Sequence, residues 1–269
     1  IKEINKVEKL DGCCGVKVFV GSSTGTLLVS NHDDIKTIMK STKKMISFHS
    51  EDEDELVKRE RFRKKNKPQS HYIWRDVNTA LKSTRKLIAN ANKTKKKIHI
   101  LHITSAEEVN ILKKNKKYVS FEVTPQHLVF SAPSAYKKLG TYAQMNPPIR
   151  DSRHKKVLRQ ALKNNDIDLI GSDHAPHLKS EKKLSYPKSP SGMPGVQTLL
   201  PVLLNEVHKK TISLNYLVRL TSFNVIKIFK IKNKGLIKEG FDADLSIIDL
   251  NKKMKFSNSM VKSKCGWSP

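Results

Sequence analysis

Three cysteines, Cys13, Cys14 and Cys265, are all that this 269-residue chain contains, and they form neither a zinc-binding pattern nor a disulfide framework. Their scarcity predicts a reduced, cytosolic compartment. No apolar run approaches the ~18 residues of a membrane span, and no signal-peptide pattern opens the chain, so no membrane partner is expected. Acidic residues are scarce as well: 25 stand against 52 basic ones, giving a net charge of +27. An excess of that size raises the question of a nucleic-acid partner. Its make-up speaks against one, because 43 of the basic residues are lysine and 9 are arginine, the residue that reads bases and phosphates with a planar fork. The lysines are spread among Asn and Ile along the whole chain, with no nucleic-acid motif nearby. The runs from Lys93 to Lys97 and from Lys113 to Lys117 read as solvated helix ends. An initiating Met is also absent, and the polar start Ile1-Lys-Glu-Ile-Asn-Lys6 reads as a piece cut from a longer protein.

Short β-rich runs do occur, and they alternate with helical patterns, which predicts an α/β fold with a parallel sheet and crossover helices. The predicted strands are Val16–Val20, Met45–Phe48, Ile98–His102, Tyr118–Val123 and Asp166–Ile170. The predicted helices cover Asn31–Ser41, Asp52–Lys65, Tyr72–Ala91, Asp151–Asn164 and Gly195–Lys209, and Ser105-Ala-Glu-Glu108 is a capping box that opens another. Five strands do not close a barrel, and at ~30 residues per βα unit three further units are expected upstream. From Gly235 to Leu250 the pattern changes to alternation suited to antiparallel β-structure. A division follows: residues 1–233 as a partial barrel, and 234–269 as part of a small β-sandwich appendage.

Chemistry-bearing groups recur where these strands end, which is where an α/β barrel keeps its active site. Lys17 lies in the otherwise apolar Gly15-Val-Lys-Val-Phe-Val20, and a core lysine is costly unless paired or modified. His49, His102, Glu122 and Asp173 end successive strands, and His174 and His177 follow Asp173 closely. Two histidines, an aspartate and a strand-embedded lysine suit a metal pair. A lysine carbamate can bridge two divalent cations, with imidazole and carboxylate completing coordination of the kind Zn²⁺ prefers.

Seven segments occur in order: Gly15-Val-Lys-Val-Phe-Val-Gly-Ser-Ser-Thr-Gly25, Phe48-His-Ser-Glu-Asp-Glu53, Leu101-His-Ile-Thr-Ser-Ala-Glu107, Phe121-Glu-Val-Thr-Pro-Gln-His127, Met145-Asn-Pro-Pro-Ile-Arg150, Ser172-Asp-His-Ala-Pro-His177 and Gly192-Met-Pro-Gly-Val-Gln-Thr-Leu-Leu-Pro201. Together they resemble the dihydroorotases of the amidohydrolase superfamily, over nearly the whole chain. The resemblance implies a (β/α)8 TIM-type barrel, of which strands 4 to 8 are present. It also implies the zinc-dependent interconversion of N-carbamoyl-L-aspartate and dihydroorotate in pyrimidine synthesis, with two Zn²⁺ per intact subunit. On that basis Lys17 would be the carboxylated bridging ligand, His49 and His102 would hold the second metal, and Asp173 would be both ligand and general acid/base. His177 would hold the substrate carboxylate, and Asn146 would line the substrate pocket. Arg150 is either a pocket residue or a solvent-facing helix-start arginine. Ser22, Ser23 and Thr24 would form a loop over the site, and Pro194 and Gly195 would offer backbone groups to the ring or simply start a helix.

The departures from the family pattern are specific. No His-x-His occurs anywhere in the 269 residues, and the substrate-binding arginine that follows it in the family is absent too. Both are expected upstream, and the last β-strands of such a chain are expected beyond Pro269. Gln126 stands where the family commonly has a second histidine and is given no metal role. His127 reads as a structural residue of its turn, and His174 as a group that supports the site from behind. His32, His71, His154 and His208 read as ordinary helix residues. Hydantoinase, dihydropyrimidinase and allantoinase share the metal device, but His177 suits a substrate bearing a carboxylate. The other reading is a metal-free scaffold that pairs with another pyrimidine-pathway enzyme. A homodimer is also compatible with the sequence, and this chain by itself is expected to be inactive.

Overall fold

The valine- and isoleucine-rich runs lie side by side in chain order. In the computed structural model, which describes residues 2–23, 25 and 27–269, they form a single five-stranded parallel sheet. The strands are β1 (Gly15–Phe19), β2 (Met45–His49), β3 (Ile98–Ile100), β4 (Val119–Val123) and β5 (Leu169–Ile170). A helix α1 (Lys2–Val7) precedes β1, and α2 (His32–Ser41) joins β1 to β2. Between β2 and β3 lie α3 (Glu53–Arg59), α4 (Ser70–Trp74) and α5 (Val77–Thr94). Helix α6 (Ala106–Lys113) connects β3 to β4, and α7 (Pro125–Val129), α8 (Ser134–Leu139) and α9 (Ser152–Lys163) connect β4 to β5. After β5 come α10 (Lys179–Lys182), α11 (Val196–His208), α12 (Leu214–Val218) and α13 (Asn224–Phe229).

The register sorts the side chains onto two faces. Lys17 lies opposite Ser47, Ser47 opposite His99, and His99 opposite Ser120, so one rung of the inner face is wholly polar. The alternate positions, Val18, Ile46, Phe48, Ile98, Ile100, Val119 and Phe121, are buried on the outer face. There they pack with Ile35 and Met39 of α2, Leu87 of α5, Leu112 of α6 and Leu158 of α9 in one continuous core. Each such side chain contributes on the order of 1.5–3 kcal/mol when fully buried.

Local sequence sets the helix starts. Asn31, Asp52, Asp76 and Asp151 each accept a backbone N–H from the first turn of the helix that follows, and Ser105 with Glu108 completes a reciprocal capping box at α6.

Three expectations need correction. The helix predicted over Tyr72–Ala91 is two helices, because Asp76 caps α5 while Arg75 turns inward to an ion pair with Glu51. The helix predicted over Asp52–Lys65 ends at Arg59 and runs into a 3-10 turn over Glu60–Phe62. Among the described residues no strand forms over 235–250: the segment is turns and irregular backbone, with Ile237 and Ile247 at 92% and 102% exposure. The tail beyond it behaves differently. Cys265 and Trp267 are buried in a second apolar cluster with Ala132, Met145, Ile149 and Met193.

A glycine stands at position 171, just after β5. A Cβ there would overlap the Glu122 carboxylate, which is held by His99 Nε2 at 3.1 Å. Gly171→Ala is therefore expected to cost about 1–3 kcal/mol by displacing that carboxylate. Glu122→Ala in the same chain should recover part of the loss, and urea unfolding of the two single variants and the double variant measures the coupling.

Candidate active site

His49 closes β2 and is buried, with its Nε2 at 2.9 Å from Glu51 Oε2. Glu51 is fully buried and its Oε2 also meets Arg75 Nη2 at 2.6 Å. Burial alone would push the Glu51 carboxyl up; Arg75 and His49 overcome this and hold it well below the usual carboxylate range. An ionised carboxylate only accepts, so His49 carries its proton on Nε2 and turns the Nδ1 lone pair elsewhere. That nitrogen faces His102 Nε2 at 3.1 Å, with the two rings edge to face. Burial, and then the neighbouring His49, keeps His102 neutral by lowering its pKa far below the ordinary value.

His102 lies two residues beyond β3 rather than within it, and its φ of 38° swings the ring toward His49. Two nitrogens bound to one tetrahedral ion at ~2.0–2.1 Å each stand about 3.3 Å apart, so this converging pair fits a zinc-type cation. Among the described residues no three His, Cys, Asp or Glu side chains gather into a complete cation cluster. Asp173 is half-buried with a φ of 42°. Burial raises its pKa, while Lys17, His127 and His49 oppose the rise.

Lys17 differs from expectation. It is exposed rather than buried, with its Nζ 4.7 Å from the Phe19 ring centroid. Its strand is an edge of the sheet among the described residues. Glu122 also departs from the strand-end set: its Oε2 pairs with His99 Nε2 at 3.1 Å.

The substrate-side candidates lie on the loops above these strands. Ser22 is pinned by Glu53 at 2.5 Å from its hydroxyl and by Arg75, whose Nη2 donates to the Ser22 carbonyl. Ser23 accepts from Asn146 Nδ2 at 3.3 Å; Thr24 lies outside the described residues. His177 donates from Nε2 to the Ser191 carbonyl at 3.1 Å, and Trp267 donates from its indole to the His177 carbonyl at 2.8 Å. Arg150 is buried, so it is not a solvent-facing helix-start arginine. Its Nε donates to Thr104, its Nη1 donates to the Arg75 carbonyl, and its Nη2 has no protein partner.

Pro194 and Gly195 are buried at the start of α11, where the Gly195 N–H donates to His174 Nδ1 at 3.1 Å. That bond occupies the Gly195 N–H group. A cavity of about 410 Å³ opens behind it, lined by Pro194, Gly195, Gln197 and tail residues including Phe256 and Val261. His127 bridges Thr124 and the Pro147 carbonyl, and Gln126 Nε2 donates to the Ser172 carbonyl, just before Asp173.

Four contributors were not singled out from sequence: Glu51, Arg75, His71 and His99. Only Glu51 left a signal, two positions after His49. The others reach the site across long sequence separations.

The amidohydrolase family profile matches residues 27–267. The chain belongs to this family. A dihydroorotase of Methanosarcina acetivorans is 33% identical over the whole of this chain and 60% of the relative. A dihydroorotase of Methanosphaera stadtmanae is 34% identical over 94% of this chain and 59% of that protein. The chain thus spans about 60% of the length of these curated relatives. Among solved structures, L-hydantoinase from Arthrobacter aurescens superposes with a TM-score of 0.88 at 23% identity, covering 96% of this chain and 60% of that one, which shows the barrel fold. No helix among the described residues is long and apolar enough to cross a membrane.

Acid should destabilise this site. Burial lowers the pKa of His71 to about 3 and of His127 to about 4, from 6.5. Between those values the unfolded chain binds up to two more protons than the folded one, so stability falls as pH falls from 6.5 toward 4. The slope contributed by the two rings is about 3 kcal/mol per pH unit. Urea midpoints measured across that range check it, and a flat profile contradicts it.

Proposed function

We propose that this chain supplies the metal-binding and substrate-facing strands of a dihydroorotase, which interconverts N-carbamoyl-L-aspartate and (S)-dihydroorotate in pyrimidine biosynthesis. The observation that carries the reading is the convergence of His49 Nδ1 and His102 Nε2 at 3.1 Å, within a chain whose curated relatives are dihydroorotases. His49 and His102 would hold one Zn²⁺. Lys17, carboxylated, would bridge it to a second ion, and Asp173 would complete the centre. When bound, such a pair lowers the pKa of water enough to make hydroxide available at neutral pH.

The chain's own groups supply the rest. In the ring-opening direction Asp173 takes the proton released as water adds to the ring carbonyl. It returns that proton to the departing amide nitrogen, so the C–N bond breaks without leaving an anion. Ring closure runs the same transfers backwards and releases water. A carboxyl whose pKa is raised by burial suits a proton carrier better than an ordinary surface aspartate. His177, anchored by its Nε2–H to the Ser191 carbonyl, would lie beside the substrate carboxylate. Asn146 lines the pocket beside it, and Ser22 and Ser23 form the loop above. A homodimer or a complex with another enzyme of the same pathway is the assembly this reading favours.

The test is turnover by the zinc-loaded intact subunit. Dihydroorotate should be hydrolysed, and Asp173→Asn should lower kcat by about 10²–10⁴-fold with little change in KM. Turnover of hydantoin or dihydrouracil but not dihydroorotate would move the reading to those relatives. Bound metal without turnover of any of them would favour a scaffold.

A further inference from the structure

We propose that His71 is a positioning residue that fixes the side-chain amide of Asn146 with its NH2 group, rather than its oxygen, turned toward the substrate pocket. The proposal rests on the reading above that Asn146 lines that pocket.

His71 belongs to α4, 75 residues from Asn146, and is buried. Its Nε2 lies 3.1 Å from the Met145 carbonyl oxygen and 2.9 Å from Asn146 Oδ1. A backbone carbonyl can only accept, so Nε2 must carry the hydrogen. An Nε2–H cannot face an NH2 group without two donors meeting, so the amide atom beside it is the oxygen. This assignment does not depend on which atom was labelled N or O, because the Met145 carbonyl decides it.

The other ring nitrogen agrees. With the hydrogen on Nε2, Nδ1 of the neutral ring is an acceptor, and the group within reach of it, the Tyr186 hydroxyl at 3.4 Å, is able to donate. Trp74 and Tyr186 meet the ring edge to face at 5.7 and 5.8 Å and hold its plane. Burial, and then the positive charge of Arg75, keeps the ring neutral. The tautomer is therefore the same throughout the neutral range.

With its oxygen held by His71, Asn146 presents Nδ2 on the opposite side, where it reaches Ser23 Oγ at 3.3 Å. That edge of the pocket is thus a hydrogen-bond donor. It accepts a carbonyl or carboxylate oxygen, which dihydroorotate and N-carbamoyl-aspartate both carry, and it disfavours a ligand that offers N–H at the same place. An imidazole placed against the other end of the amide supplies that polarity without touching the substrate.

Two measurements on the zinc-loaded intact subunit test this. Selective ¹⁵N labelling of histidine should show His71 as the Nε2–H tautomer from pH 7 to pH 5, and an Nδ1–H tautomer or a protonated ring overturns the proposal. Kinetics with dihydroorotate should show His71→Leu raising KM about 10-fold or more with kcat within about threefold, since one pocket hydrogen bond is lost. His71→Gln, whose amide can still donate to Asn146 Oδ1, should restore KM to within about threefold of the parent. An unchanged KM in His71→Leu, or no recovery in His71→Gln, also overturns it. Should the parent protein not turn over dihydroorotate at all, the catalytic reading fails, and the tautomer measurement still decides the role of His71.

Discussion

The buried carboxylate of Glu51 is the constraint on which the rest of the site depends. It sits between His49 and Arg75, both within 3 Å, and has no access to water. Leaving such a charge unpaired in the interior is costly, so both partners are locked in place. Locking His49 fixes its tautomer and aims Nδ1 at His102. Locking Arg75 breaks the helix that the apolar spacing predicts, turns the chain inward, and lets the same guanidinium hold the Ser22 carbonyl. One ion pair therefore links the His49 imidazole, a helix boundary and the loop that carries Ser22.

The sheet supplies the second half of the account. Its outer face carries the apolar core, so the inner face is free to hold polar groups, and the parallel register stacks Lys17, Ser47, His99 and Ser120 across four strands. His99 pairs with Glu122, two residues beyond Ser120 on β4, and Gly171 leaves room for the carboxylate. The functional groups then sit one level higher, at and beyond the strand ends, where backbone leaves the sheet. The positive φ angles of His102 and Asp173 mark that departure.

Much of this was legible in the sequence, for identifiable reasons. Strand positions follow from short apolar runs, and the helix starts from Asn31, Asp52, Ser105 and Asp151, because these signals are local. His49, His102 and Asp173 stand out because each follows such a run. What could not be read was long-range. His71 looks like an ordinary helix residue until Met145 and Asn146 are brought against it, and nothing local marks Arg75 as a partner of Glu51. Lys17 was expected to be buried from its apolar neighbours, but exposure depends on what lies beside its strand, and β1 is an edge. The alternating segment at 235–250 shows the same limit, since a β-pattern forms a strand only where a partner strand lies beside it. In the tail, Trp267 instead reaches back to the His177 carbonyl.

The central claim is that His49 and His102 offer Nδ1 and Nε2 to one cation. X-ray absorption at the zinc edge of the zinc-loaded intact subunit tests it most directly. The account predicts imidazole nitrogens at ~2.0–2.1 Å, with the imidazole signal reduced in both His49→Ala and His102→Ala. A zinc environment without imidazole, or one unchanged by either substitution, would contradict it.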